Sequence, residues 1–479
     1  MKKNTKIIHF ILGVCVLFLF NACGSKEENK IKTDHSNILK NSDKLGQLKV
    51  TADKRMLSYE DGTGFFWMAD TAWNISRKFS ARNFSDKENR NQLIDEYMQD
   101  RHKKGFNVIQ TSAVNARYMF VDIAFDNDNN KSKEEGHPSL EFDKPRKEYW
   151  KMIDYIIESA RKNNLYIALL PVWNTVLTNT TEAAMYGTFI AKRYKDKENI
   201  IWIVGGDSDA SDKKTFDIWD TLGKTIKSIV GTKQLISYHP SGEKSSSDWF
   251  GDTTWLDFNM IQSGHCATLD GANKLLTHYR KKTSIPILDA EPRYEEIIRC
   301  LGEDNHVERI SDNEVRVIAY KQLFSGAFGH TYGHHSIWQM YNDAGDTSDV
   351  GGTAIDSWQV SLNDKGSTYM GYLAKLMRSR PLLNRIPDQS LILGGNAMAT
   401  RGTGYAFIYL QKGGSITVDI TKISGTKVKA WWFNPRTGDA TVIDTYEKNG
   451  TKIFSKQDTD DWVLVLDDTS KSYDAPGQL

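Results

Sequence analysis

An α/β chain, a (β/α)8 TIM barrel followed by a C-terminal antiparallel β-sandwich, is predicted by three observations. Short apolar runs alternate with amphipathic helical stretches over residues 46–385, the pattern that makes parallel strands joined by crossover helices. Two of those runs, Ile200-Ile-Trp-Ile-Val-Gly-Gly-Asp207 and Pro286-Ile-Leu-Asp-Ala-Glu291, end in a carboxylate, and in such a barrel strand ends open onto one common face. Beyond Pro381 the helical stretches stop and short alternating segments separated by Gly, Asn and Asp take over.

In chain order, strands are expected at residues 65–69, 108–112, 166–171, 200–204, 235–238, 258–262, 285–289 and 328–332. Helices fall between and after them at 85–104, 147–163, 181–195, 213–229, 270–281, 313–324 and 367–379. In the second helix Trp150, Ile153, Ile157 and Ala160 share one face, as packing on a sheet requires. Residues 48–57 read as a small hairpin beneath the barrel. Tyr405-Ala-Phe-Ile-Tyr-Leu410, Ser415-Ile-Thr-Val-Asp-Ile420, Lys427-Val-Lys-Ala-Trp-Trp-Phe433 and Trp462-Val-Leu-Val-Leu466 read as strands of the sandwich, residues 386–479, with a tight turn at Asn434-Pro-Arg-Thr-Gly438. Its expected role is to brace the barrel, with carbohydrate binding as the alternative.

The N-terminus bears on location. Met1-Lys-Lys is basic, residues 7–20 are almost wholly apolar, and Ala22-Cys23 puts a small residue before a cysteine, the form of a lipoprotein signal peptide over residues 1–22. The apolar run falls short of the roughly 20 residues that span a bilayer, which disfavours an uncleaved anchor. Leu19-Phe-Asn-Ala-Cys23 resembles the bacterial lipobox, with Phe20 where Leu is usual. Gly24-Ser-Lys-Glu-Glu28 resembles the acidic export signal of Bacteroidetes surface lipoproteins. The expectation is a chain lipidated at Cys23, with residues 23–45 as a polar, flexible tether, on the outer face of the outer membrane or, alternatively, its periplasmic face. The lipid is the expected membrane contact.

Composition narrows the partners. Sixty-two Lys+Arg against 61 Asp+Glu leave a net charge of +1, so no global field favours a nucleic acid. Of four cysteines, Cys15 leaves with the signal and Cys23 takes lipid; Cys266 and Cys300 remain, too few for a disulfide framework or zinc site but enough for one bridge. Thirteen Trp would suit both a large core and stacking on sugar rings.

Two carboxylates facing one cleft are the minimum for hydrolysing a glycosidic bond, so Asp207 and Glu291 are the expected catalytic pair and an oligo- or polysaccharide the expected substrate, with no cofactor. Asp209 is a second candidate for the acid, and Glu291 could instead pair structurally with Arg293 or Arg117. Polar and aromatic residues gather at the other strand ends: Asp70 and Trp73, Asn115 and Arg117, Trp173 and Asn174, His239, Gln262 and His265, and Tyr332, His334 and Trp338. Arg117 and Arg293 would suit a uronate carboxylate. Trp67, Trp202 and His330 read as packed core residues. A metal-dependent hydrolase using His330, His334 and His335 is an alternative, weakened because the first strand ends in Met68-Ala-Asp70 without paired histidines. A non-catalytic surface glycan-binding lipoprotein is another, weakened because both carboxylates are present.

Phe65-Phe-Trp-Met-Ala-Asp-Thr-Ala-Trp73, Gly205-Gly-Asp207, Tyr238-His-Pro240, Gln262-Ser-Gly-His265, Asp289-Ala-Glu-Pro-Arg-Tyr-Glu295 and His330-Thr-Tyr-Gly-His-His335 together resemble the apiosidase-like glycoside hydrolases, family 140, of gut Bacteroidetes. The resemblance runs from about Leu48 onward. It implies a (β/α)8 domain with a C-terminal sandwich often labelled a collagen-binding domain, Glu291 as nucleophile and Asp207 as acid/base of a retaining glycosidase, and apiose-linked side chains of the pectin rhamnogalacturonan II as substrate. Many retaining barrels carry Asn-Glu where this chain has Gly206-Asp207. The shorter aspartate would need the backbone nearer the substrate, which the two glycines permit.

Overall fold

The computed structural model describes residues 44–80, 86–115, 147–173, 177–342, 350–456 and 458–479. The expected signal peptide, residues 23–43 of the expected tether with Cys23, and Arg117 and Asn174 lie outside them. Among the described residues no helix is long and apolar enough to cross a membrane.

A small antiparallel sheet opens the fold: β1 (Leu48–Val50), β2 (Leu57–Tyr59) and β3 (Gly64–Phe65). After Phe66 come the expected parallel strands: β4 (Trp67–Thr71), β5 (Val108–Asn115), β6 (Tyr166–Trp173), β7 (Ile200–Ser208), β8 (Ile236–Pro240), β9 (Asn259–Ile261), β10 (Ile287–Asp289) and β11 (Gly329–Tyr332). The first starts two residues later than the apolar run suggests, because Phe65 pairs with Leu57 in the small sheet. The Asn107 side chain then pins the start of β4, accepting from the Met68 amide at 2.9 Å and donating to the Phe66 carbonyl at 2.8 Å.

Hydrogen bonding divides these strands into two pieces, a six-stranded parallel sheet in the order β11-β4-β5-β6-β7-β8 and a parallel β10-β9 pair. The eight expected strands are present in order, hydrogen-bonded as six and two. Between β8 and β9, side chains occupy the backbone groups that a ladder would use: Ser246 Oγ donates to the Tyr238 carbonyl at 2.6 Å and accepts from the Met260 amide at 2.9 Å, and Ser237 Oγ donates to the Phe258 carbonyl. Single backbone bonds still cross the seams, from Asp257 N–H to the Ile236 carbonyl and from Phe328 N–H to the Ile287 carbonyl. The result is a curled, barrel-like parallel sheet.

Every residue of β5 and β6 is buried, as expected of strands covered on both faces. Inside the curl, Trp67, Phe258 and Phe328 meet at ring separations of 5.7–6.2 Å. Outside it pack the apolar faces of helices Lys87–Lys103, Lys147–Lys162, Thr180–Tyr194, Lys213–Val230, Leu269–Lys282, Asp312–Phe324 and Lys365–Arg378. Side chains start several of them: Asp86, Asn179 and Asp212 accept first-turn amides, and Ser311 forms a capping box with Glu314.

The C-terminal region holds two antiparallel sheets. One runs β12 (Ile386–Pro387), β14 (Met398–Gly402), β15 (Tyr405–Leu410), β20 (Trp462–Asp468), β17 (Lys427–Phe433) and β18 (Ala440–Glu447); the other joins β13 (Ile392–Gly394), β16 (Gly414–Asp419) and β19 (Thr451–Lys456). Strand alternation sorts β15 between two cores. Ala406, Ile408 and Leu410 face the smaller sheet, whereas Tyr405, Phe407 and Tyr409 face the first domain, where Tyr409 stacks on Tyr320 at 4.9 Å.

Candidate active site

The end of β7 is shaped by its glycines. Gly205, Gly206 and Asp207 take φ values of 92°, 113° and 51°, and the β7–β8 register shifts between Gly205 and Ser208. A Cβ on residue 205 would lie 2.7 Å from the His239 carbonyl oxygen, and one on 206 would lie 3.1 Å from the Trp173 ring. Glycine therefore permits a bulge that bulkier residues would block. The bulge brings Asp207, half-buried, to a pocket at the C-terminal end of the sheet, with its amide 3.3 Å from Nδ1 of His239. Asp209, the other candidate acid, is exposed and accepts from the Ser211 amide; it stands off the pocket.

Glu291 reaches the same pocket from the segment after β10. Backbone bonds from Ala290 N–H to the Ile261 carbonyl and from Gly264 N–H to the Glu291 carbonyl fasten that segment to β9. The side chain is 7 % exposed, with Oε2 3.3 Å from His239 Nε2 and Oε1 3.4 Å from His265 Nε2. Because His239 Nδ1 accepts the Asp207 amide, the ring proton of the neutral tautomer sits on Nε2, facing Glu291. The contact is close but not well directed, so His239 Nε2 and Glu291 Oε2 retain bonding capacity. Burial alone would push the Glu291 carboxyl up, but the two imidazoles outweigh it and hold the group at about 2. Glu291 is thus a carboxylate at neutral pH.

Around this pair, a cavity of about 90 Å³ is walled by Trp73, Asn115, Trp173, Gln262, His265 and Trp338, all anticipated from strand ends. Trp73 and Trp173 meet at 4.6 Å, and each packs against the His239 ring, at 5.2 and 5.5 Å. Five buried polar atoms here have no hydrogen-bond partner among the described residues: Asn115 Oδ1, Trp173 Nε1, Gln262 Oε1, His265 Nδ1 and Glu291 Oε2. Buried polar groups are nearly always bonded, so their gathering at one cavity marks the place for a polyhydroxylated ligand.

Four anticipated residues are placed elsewhere. Asp70 is wholly buried and accepts from Tyr97 Oη at 2.8 Å and Arg101 Nη1 at 3.3 Å, neutralising a buried guanidinium behind the site. Tyr332 donates to Glu295 Oε2 at 2.5 Å, and His334 Nε2 lies 2.9 Å from Asp364 Oδ2; both belong to a neighbouring polar network. Arg293 is 1 % exposed, donates to the Ala267 carbonyl and lies 3.6 Å from Glu314, so it anchors a loop and does not face the pocket. The strand ends at Asp289, so alternation no longer puts residues 291 and 293 on one face. Nor does Glu291 pair with Arg293.

His330 is packed in β11, where burial pushes its imidazole down to about 3, and His335 Nε2 meets the Gly352 carbonyl. Among the described residues no group of three or more His, Cys, Asp or Glu is placed to hold a metal ion. Cys266 and Cys300 are free thiols near one another, with Cys266 pushed up to about 12 by partial desolvation and by its neighbour.

Sequence reasoning assigned no role to Tyr294, Ile297, Leu301 or Val350, which complete the wall. Tyr294 accepts from Trp73 Nε1 at 3.0 Å, and its hydroxyl lies close enough to Glu291 for the carboxylate to push the phenol up. Its position three residues after Glu291 was the available signal. The apolar three come from loops without periodicity.

Residues 51–384 match the family described as "Apiosidase-like, catalytic domain", and residues 386–467 match "Putative collagen-binding domain of a collagenase". No curated protein matches the chain. A solved structure named "Glycoside hydrolase" is 34% identical with a TM-score of 0.75, covering 89% of this chain and 97% of its own. A glycoside hydrolase family 5 structure from Bacteroides vulgatus ATCC 8482 is 32% identical with a TM-score of 0.75, covering 90% of this chain and 95% of its own. With more than half its length matched by that catalytic domain, two close structural relatives named as glycoside hydrolases and paired carboxylates in one pocket, the chain belongs to the apiosidase-like family and is a glycosidase.

Proposed function

We propose that this glycosidase is a retaining enzyme of the family 140 type, a (β/α)8 barrel braced by its sandwich, that acts on plant cell-wall pectin by releasing apiose-linked side chains of rhamnogalacturonan II. In this reading it is tethered to the cell surface through lipid on Cys23. The observation that carries the reading is the pairing of an ionised Glu291 with Asp207 in a cavity lined by unbonded polar atoms. Glu291 attacks the anomeric carbon while Asp207 gives a proton to the departing oxygen, leaving a glycosyl ester on Glu291. Asp207 then takes a proton from water, which attacks the same carbon and frees the sugar and the carboxylate. In this reading Asn115, Gln262 and His265 bond sugar hydroxyls, and Trp73 and Trp173 cover the ring. No Lys or Arg is among the described residues lining the cavity, which suits a neutral sugar better than a uronate.

The test pairs a variant with product analysis on pectin side-chain oligosaccharides. Glu291→Gln keeps the shape but cannot form the ester, so kcat should fall by roughly 10³-fold or more with the fold intact. NMR of the first-formed product should show the anomer of the substrate. Inversion would overturn the nucleophile assignment, and hydrolysis of another linkage with apiosides untouched would overturn the substrate.

A further inference from the structure

At the opposite end of the strands from the active site, where β10 begins, a second cavity of about 420 Å³ is lined by Lys54, Arg55, Arg280 and Arg385, with Asp53 the sole acidic residue among the described residues of its wall. Asp53 is already engaged, accepting from Arg55 Nε at 3.1 Å and from Thr51 Oγ1 at 2.6 Å. Arg55 Nη2 donates to the Arg385 carbonyl at 2.7 Å, which brings those residues together. Arg385 is 2 % exposed; Nη1 and Nη2 donate to the Leu323 and Ala327 carbonyls at 2.8 and 3.2 Å, and Nε is buried without a partner among the described residues. Arg280 passes over Gly326, where a Cβ would meet its Cδ at 2.7 Å. Its Nε is also buried and unbonded, and among the described residues nothing pairs with it.

Uncompensated guanidinium charge in partial burial is costly, and among the described residues no carboxylate pairs with Arg280 or Arg385. Burial, with the positive charge of Arg55 adding to it, pulls both arginines below their ordinary range, Arg385 to about 10. Guanidinium groups that converge on a cavity suit tetrahedral and planar oxyanions, whose oxygens accept several N–H bonds at once.

We propose that this cavity is an oxyanion-binding site, taking a phosphate, sulfate or sugar carboxylate between Arg280 and Arg385 with Arg55 and Lys54 at its mouth. Its walls come from three places: the turn between β1 and β2, the strand-start region around residues 283–287 with Gly326, and the segment entering the sandwich at Arg385 and Pro387. A bound anion therefore ties these parts together and stabilises the folded chain. The site shares no residue with the catalytic pocket.

Calorimetry and thermal unfolding of the whole protein test the proposal, with inorganic phosphate, sulfate and galacturonate each compared with sodium chloride at equal ionic strength. The expected result is one binding site and a midpoint raised by about 2 °C or more at saturation. The effect should be lost in Arg280→Met and weakened in Arg55→Gln, the Arg55 side chain being 35 % exposed, with circular dichroism of each variant checking that the fold is retained. Glycosidase activity should be unchanged in both. Binding of phosphate or sulfate alone assigns the site to a free inorganic anion, whereas tighter binding of galacturonate assigns it to an acidic sugar. No effect beyond that of chloride, or an undiminished effect in both variants, overturns the site.

Discussion

An imidazole nitrogen faces each oxygen of Glu291, and the Asp207 amide sets which nitrogen of His239 carries the proton. The two proposed catalytic residues are therefore linked through one ring: moving the Asp207 backbone also disturbs the group that keeps Glu291 ionised. A pH dependence follows. Glu291 sits at about 2 in the folded chain against an ordinary 4.5, so between those values the unfolded chain binds more protons than the folded one. Its contribution to stability, on the order of 3 kcal/mol, is complete above about pH 4.5 and disappears as pH falls through 2. Urea unfolding of wild type and Glu291→Gln from pH 6 to 2 should show a stability difference that shrinks across this window. A difference independent of pH would mean that the imidazoles do not hold the carboxylate as described.

The decisive element is β7, where Gly205-Gly206-Asp207 leaves ladder geometry. Replacing Gly205 with Ala sets a Cβ 2.7 Å from the His239 carbonyl at a φ of 92°. The strain should cost about 1–3 kcal/mol and, by displacing Asp207, lower kcat roughly 10²-fold. Gly231, at φ 60° with open space about its Cβ direction, is the control. Gly231→Ala should cost about 1 kcal/mol and leave kcat unaltered. Equal activity in the two variants, measured by initial rates, would show that the bulge does not position the acid.

For the molecule as a whole, the C-terminal sheets are fastened to the first domain by stacked aromatics and by buried charge. Asp461, 3 % exposed, receives Arg316 Nε and Nη2 at 3.0 Å each, Arg436 Nη1 at 2.8 Å and Tyr409 Oη at 3.0 Å. Arg380 and Asp467 form a second buried pair, at 2.7 Å. Asp461→Ala strands a buried guanidinium and should cost about 3–5 kcal/mol in urea unfolding. A loss below about 1 kcal/mol would show that the junction contributes little, and would undercut the bracing role proposed for the sandwich.

Periodicity along the chain by itself determined where strands and helices lie, because burying one face of a helix or both faces of a parallel strand dictates residue type locally. The helix Lys147–Lys162 and the strand Ile200–Ser208 were legible for that reason, as was the gathering of Trp73, Trp173, Gln262 and Glu291 at strand ends. Direction and partnership were decided only in three dimensions. Asp70 carries the same carboxylate as Asp207, and Arg293 stands two residues from Glu291, yet Arg101 and Glu314 draw them away from the pocket, and those partners lie 31 and 21 residues distant along the chain. Tyr294 became a member of the site because Trp73 and Glu291, from distant strands, converge on its hydroxyl. The division is physical: burial preference is a property of each segment, whereas the orientation of a polar side chain depends on which charge or hydrogen-bonding group folding brings beside it.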